Sequence, residues 1–192
     1  MNLIKEKIKN MIYVYGCFFI PIWFFYVLKI TIFPKEEYIL GLYPHVVSIL
    51  TPLEMVSFWL VHANYLHIIG NSAVLLPLLF FIALWEKKPI QILLEMIIVS
   101  GIFTWILGSS HTVVVGASGF IFAIFGYILY EIIKRKNVYY MLVLFFLGVP
   151  YLVAFLTALI PQAGISWAGH FGGLLAGLLI GKFNFQKIDH QQ

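Results

Sequence analysis

The sequence predicts an all-α membrane protein, a six-transmembrane-helix bundle with both termini cytoplasmic. Composition is the first reason. Of 192 residues, 62% are hydrophobic and 10% are charged, against roughly 45–50% and 25% in soluble domains; mean hydropathy is +0.97. So small a chain has too much surface to hide that many apolar side chains in one core, which excludes a soluble globular protein and disorder alike. The second reason is continuity. Apolar residues come in runs near the roughly 20 needed to cross a bilayer, not in the alternation of barrel strands. The third is where lysine and arginine fall, which sets the orientation.

The first span runs from about Met11 to Ile30, behind a head (residues 1–10) carrying Lys5, Lys7 and Lys9. Its apolar run is too long for a signal peptide and no small-residue cleavage site follows, so it is read as retained. Residues 31–57 are broken by Pro34, Pro44 and Pro52 and are only half apolar. They fit short amphipathic helices lying in the interface as a first loop. The second span covers about Phe58 to Leu84 and stops at Trp85-Glu86-Lys87-Lys88; the third covers about Ile90 to Leu107, followed by the loop Gly108–Val115. A fourth runs from near Gly116 to Glu131, before Lys134-Arg135-Lys136. The fifth, about Val138 to Ile160, turns at Pro161-Gln162-Ala163-Gly164 into the sixth, Ile165 to Gly181, and the tail 182–192. No linker or repeat interrupts this order, so residues 1–192 are one domain. With the N-terminus inside, ten of the 12 basic residues are cytoplasmic and only Lys29 and Lys35 are not, as short loops prefer. The net charge of +4 is scattered over loops facing an anionic leaflet, which fits the lipid bilayer and not nucleic acid.

Against this background a few polar residues stand out. His62, His67 and Asn71 fall in the second span, Ser118 opens the fourth, and His170 lies in the sixth. Polar groups at such depth are costly and mark candidate functional sites. Counting 1.5 Å per residue, Asn71 lies about 22 Å above Glu86, Ser118 about 20 Å above Glu131 and His170 about 18 Å above Lys182. Three helices thus bring polar groups to one level, roughly 10 Å below the outer surface of the hydrocarbon core.

His67 and Asn71, four apart, share a helix face, with His62 about a turn and a half further out. Ser118 stands in Gly116-Ala117-Ser118-Gly119, where small neighbours admit another backbone or a substrate. The sixth span carries Gly169, Gly173, Gly177 and Gly181 beside His170, a small-residue stripe suited to backbone-to-backbone packing. A close contact between the fourth and sixth helices brings His170 to Ser118, the logic of an activated nucleophile. His67 and Asn71 then supply donors for a developing oxyanion. The remaining polar residues read as structural. His45, His111 and His190 belong to loops and tail, Glu95 snorkels or caps, and the single cysteine, Cys17, is a packed thiol. Trp59, Trp85 and Trp105 fit interface anchors. No ligand cluster calls for a metal or organic cofactor.

At these residues the sequence resembles the rhomboid intramembrane serine proteases, from the second span to the end. The family's two histidines and asparagine appear as His62-Ala-Asn-Tyr-Leu-His67-Ile-Ile-Gly-Asn71, its nucleophile motif as Gly116-Ala117-Ser118-Gly119, and its base as His170-Phe-Gly-Gly173 followed by Gly177. The resemblance implies a rhomboid-like bundle in which Ser118 is the nucleophile and His170 the base, a dyad without a carboxylate. It also implies an oxyanion hole from His67, Asn71 and the Ser118 N–H, braced by His62. Substrates would be transmembrane proteins, cleaved in or beside their spans, at a site opening to the outer side of a bacterial plasma membrane. Two departures stand out. Many members carry a Trp-Arg pair in the first loop where this chain has Leu53 and Glu54, so that loop must be held differently. A tyrosine that often stacks on the base is here Phe122, which keeps the ring. Two other readings share the same residues: a catalytically inactive scaffold that binds transmembrane helices, and a small transporter. The intact set of polar residues speaks against the first. The apolar or glycine stretches 120–130 and 174–181 below the site speak against the second.

Overall fold

The computed structural model describes residues 2–136, 138–148, 157, 160 and 166–189. Among these the chain is helical, and its one β pairing is an antiparallel bridge between Leu42 and Val114. Helices α1 (Asn2–Val14) and α2 (Ile20–Thr31) form one rod joined by a π-turn at Tyr15–Phe19. Pro21, in the first turn of α2, has no N–H for the carbonyl four residues back, and the ladder widens just before it. The expected head is therefore the start of this rod.

Two short helices, α3 (Glu37–Leu40) and α4 (Thr51–Ser57), occupy the proline-broken first loop in place of a span. Then come α5 (Tyr65–Trp85), α6 (Pro89–Leu107), α7 (Ser118–Arg135), α8 (Val138–Val143) and α9 (Trp167–Asp189). Three helical stretches, Leu3–Thr31, Tyr65–Trp85 and Pro89–Leu107, are long and apolar enough to cross a membrane. The chain is an integral membrane protein, and α7 and α9, 18 and 23 residues long, pack among those helices.

α7 is the hub. Every residue from Gly119 to Ile128 is buried, which is the pattern of a helix enclosed on all sides. Phe120 and Ile124 of α7 join Phe18 and Ile22 of the rod, Leu75 and Leu79 of α5 and Leu93 of α6 in one core. On its other side α7 meets α9 at backbone distance. A Cβ on Gly173 would sit 2.1 Å from the Gly119 carbonyl oxygen, and one on Gly177 1.9 Å from that of Ala123. No side chain fits there, so the stripe is a packing surface.

Several expectations need correction. The second span does not begin at Phe58: a 3-10 turn at Phe58–Leu60 is followed by non-helical residues 61–64, and the helix starts at Tyr65. Its cause is local, because Asn64 is the N-cap and accepts the His67 N–H at 2.9 Å, ending the helix in the preferred way. α7 continues one turn past Glu131, and α9 runs two turns past Gly181 into the expected tail. Trp59 is no interface anchor; it is buried against Phe18 and Phe120, with its indole N–H on the Val56 carbonyl. Cys17 is exposed on the π-turn, not packed. The 161–164 turn and most of the fifth span after Gly148 lie outside the described residues.

Candidate active site

The position of Ser118 is built by three stretches of chain meeting ahead of α7. Leu42 in the first loop exchanges both backbone hydrogen bonds with Val114, at 3.0 and 2.8 Å, and the Gly116 N–H donates to the Phe58 carbonyl at 3.0 Å. Gly116 then turns with φ +112°, a conformation that side chains resist. A Cβ there would also lie 2.5 Å from Cε1 of His67. The turn delivers Ser118 as the first residue of α7, where the leading N–H groups have no carbonyl four residues back and the helix dipole favours negative charge.

From α5 and the residues just before it comes the polar wall. His62, fully buried, points its Nδ1 to the Leu60 carbonyl at 3.3 Å. If Nδ1 carries the proton to that carbonyl, Nε2 is the acceptor. Two donors meet it there: the Asn71 side-chain amide at 3.0 Å and the Ala117 N–H at 3.3 Å. One imidazole thus ties the asparagine of α5 to the backbone residue before Ser118. His62 is brought there because it lies outside the helix. In a continuous helix, nine residues would separate it from Asn71 by about 13 Å. The His67 ring lies edge-on to that of His62, centroids 5.1 Å apart, and against Gly116.

α9 completes the site. His170 Nε2 and Ser118 Oγ are 2.9 Å apart, within hydrogen-bond distance. Phe122 stacks on the His170 ring, with centroids 4.5 Å apart and planes 12° apart, so the ring that replaces tyrosine keeps the contact. Gly119 passes the Gly169 carbonyl so closely that a Cβ would come within 3.1 Å of it. His170 and Asn71 are buried and Ser118 is partly exposed. Thus Ser118, His170, His67, Asn71 and His62 come together, with Gly116, Gly119, Phe122, Gly173 and Gly177 spacing the elements that hold them. Glu95 instead accepts from Gln91 at 2.8 Å on α6, and His111 is exposed. Among the described residues no cluster of histidine, cysteine or carboxylate could hold a metal ion.

Some contributors were not visible as site residues. The Ala117 amide is backbone and leaves no side-chain signal. Gly126, whose Cβ would lie 2.2 Å from the Leu174 carbonyl, extends the α7–α9 seam and could have been found seven residues after Gly119. Glu54 holds the first loop where the expected pair is missing. It is buried, with its carboxylate beside the Tyr43 backbone N–H, while the Ser57 hydroxyl donates to the Leu40 carbonyl at 2.9 Å. The loop is fixed to α6 as well. Trp105 donates to the Val46 carbonyl at 3.2 Å, and His45 contacts the Gly108 carbonyl at 2.9 Å.

The chain is 31% identical over 150 residues to uncharacterised proteins of Mycobacterium bovis and of two Mycobacterium tuberculosis strains, covering 67% of this chain in each case. It spans 60% of the length of these curated relatives. A family model described as the Rhomboid domain matches residues 50–187, the stretch that holds α5, α6, α7 and most of α9, and with them His62, His67, Asn71, Ser118 and His170. The chain belongs to the rhomboid family.

Proposed function

We propose that the protein is an intramembrane serine endopeptidase that hydrolyses peptide bonds in or near the transmembrane segments of membrane proteins. The observation that carries this reading is the 2.9 Å contact between Ser118 Oγ and His170 Nε2, inside an apolar bundle where an idle pair of polar groups would be costly. As Ser118 attacks the substrate carbonyl, its proton passes to Nε2 of His170. The oxyanion is held by the Ser118 N–H, His67 and the second N–H of Asn71, whose first is fixed on His62. The imidazolium then protonates the leaving amine. Water, deprotonated by His170, cleaves the acyl-enzyme and returns the serine. No metal or organic cofactor takes part in these steps.

The rest of the reading is one domain of six spans with both termini in the cytoplasm and the site open to the outer side. Charge placement supports the orientation, and the mycobacterial relatives support a bacterial plasma membrane. The test is cleavage of a membrane-anchored substrate by the wild type, Ser118→Ala and His170→Ala, each reconstituted in liposomes. Both variants should insert and fold yet lose cleavage, and a fluorophosphonate should label the wild type but not Ser118→Ala. Turnover by either variant at the wild-type rate would overturn the dyad. A folded wild type that neither cleaves nor labels would instead mark a helix-binding scaffold.

A further inference from the structure

Lys29 and Lys35 are the two basic residues on the outer side by sequence, and the structure gives Lys29 a task. At the end of α2, its ammonium donates to the carbonyl of His62 at 3.0 Å and lies 3.6 Å from Glu36 and 3.7 Å from Glu37. Its side chain is 17% exposed and that of Glu36 only 3%. A charge so placed needs partners, and one of those partners is the backbone of the residue that organises the site. His62 sits in non-helical residues 61–64, where no helical ladder fixes its carbonyl. Its ring is held from one side by Leu60, and its backbone is held from the other by Lys29.

We propose that Lys29 is a positioning residue. It clamps the His62 backbone, and through the His62 ring it fixes Asn71 and the Ala117 amide beside Ser118. α2 lies outside the matched stretch 50–187, so an element beyond the family's matched region sets the geometry of the site. The inference rests on the proteolytic reading only for its kinetic test.

The full chain would be compared as wild type, Lys29→Met, Lys29→Arg and the triple variant Lys29→Met/Glu36→Gln/Glu37→Gln. Lys29→Met should lower kcat about tenfold with KM within about twofold, because a donor held only for the transition state has lost its alignment. The triple variant has no carboxylate left without its cation, so it should melt like the wild type yet stay as slow as Lys29→Met. Lys29→Arg should recover most of the rate. Should Lys29→Met fail to fold, the triple variant decides. A triple variant with the wild-type kcat would overturn the clamp, since Lys29 would then only neutralise Glu36 and Glu37.

A second measurement needs no catalysis. Amide hydrogen exchange at Ala117 should be faster in the triple variant, with Ile124 in the middle of α7 unchanged. Unchanged exchange at Ala117 would overturn the clamp even if the wild type proved inactive. Loss of all cleavage by the wild type would remove the proteolytic reading alone.

Discussion

Asn71 is the residue whose role can be separated most cleanly from the dyad. Its amide is pinned on His62 Nε2 at 3.0 Å and lies near Gly116, so its direction is set before any substrate arrives. In the proposed hydrolysis, negative charge on the substrate oxygen develops only in the transition state. Asn71→Ala should therefore lower kcat roughly a hundredfold or more, the usual loss for one such donor, and change KM much less. Steady-state cleavage limited by chemistry checks this, and an unchanged kcat would remove Asn71 from the site. Gly116→Ala should cost activity for a different reason. It forces a side chain into a positive-φ position 2.5 Å from the His67 ring. The variant should be less stable by about 1–3 kcal/mol, read as a lower Tm. Residues such as Ser118, His170 and Asn71 were legible because a polar side chain in an apolar run is conspicuous. Ala117 was not, because it acts through its amide. His62 was legible in identity but misplaced in structure, since the cap at Asn64 looked like ordinary span sequence.

Helices and loops carry the next set of consequences. The α7–α9 seam has no room for a side chain at Gly173 or Gly177, where a Cβ would meet backbone oxygen at 2.1 and 1.9 Å. Backbone cannot swing aside as a rotamer can, so Gly177→Val must part the helices. We expect a loss of about 1–3 kcal/mol or more from overpacking, and a fall in cleavage of order a hundredfold if His170 moves by about 1 Å. Full activity and stability in that variant would refute the seam. The first loop makes a prediction in pH. Burial holds the Glu54 carboxyl above its usual range, against the opposing effect of the Tyr43 N–H. A carboxyl that titrates higher when folded binds more protons in the folded state. Stability is then fullest below the ordinary carboxylate pKa near 4.3 and is lost as pH rises to the raised value. Glu54→Gln should show a shallower loss in melting curves taken from acid to neutral pH, and an identical slope would show that Glu54 is not the source. The stripe of glycines announced this seam in the sequence. The loop's anchoring did not show, because a lone Glu54 in a proline-broken stretch reads as a solvated charge until the fold closes over it.

At the scale of the molecule, two groups of polar contacts among the described residues mark its two ends. The Lys7 ammonium donates to the Leu84 carbonyl, Tyr140 donates to the Glu86 carboxylate, and Asn184 donates to Tyr127 at 2.9 Å. Those contacts gather the start of the first rod, the turn after α5, the start of α8 and the far end of α9 at one end of the bundle. His62, His67, Ser118 and His170 gather toward the other. Residues 85–88 and 134–136 carry five of the 12 basic residues, and such short loops are retained on the cytoplasmic side. The end that holds Lys7 and Lys88 should therefore face the cytoplasm, with the loop after α6 facing out. Cys17 is the single native thiol, so Cys17→Ser gives a background free of thiols into which one cysteine at a time can be placed. A membrane-impermeant maleimide added to intact bacterial cells should label His111→Cys, whose native side chain is exposed in that loop. It should label Lys88→Cys only after the cells are permeabilised. The reverse pattern would invert the molecule in the bilayer and turn the site toward the cytoplasm, where the substrate segments it meets would be those on the opposite face of the membrane.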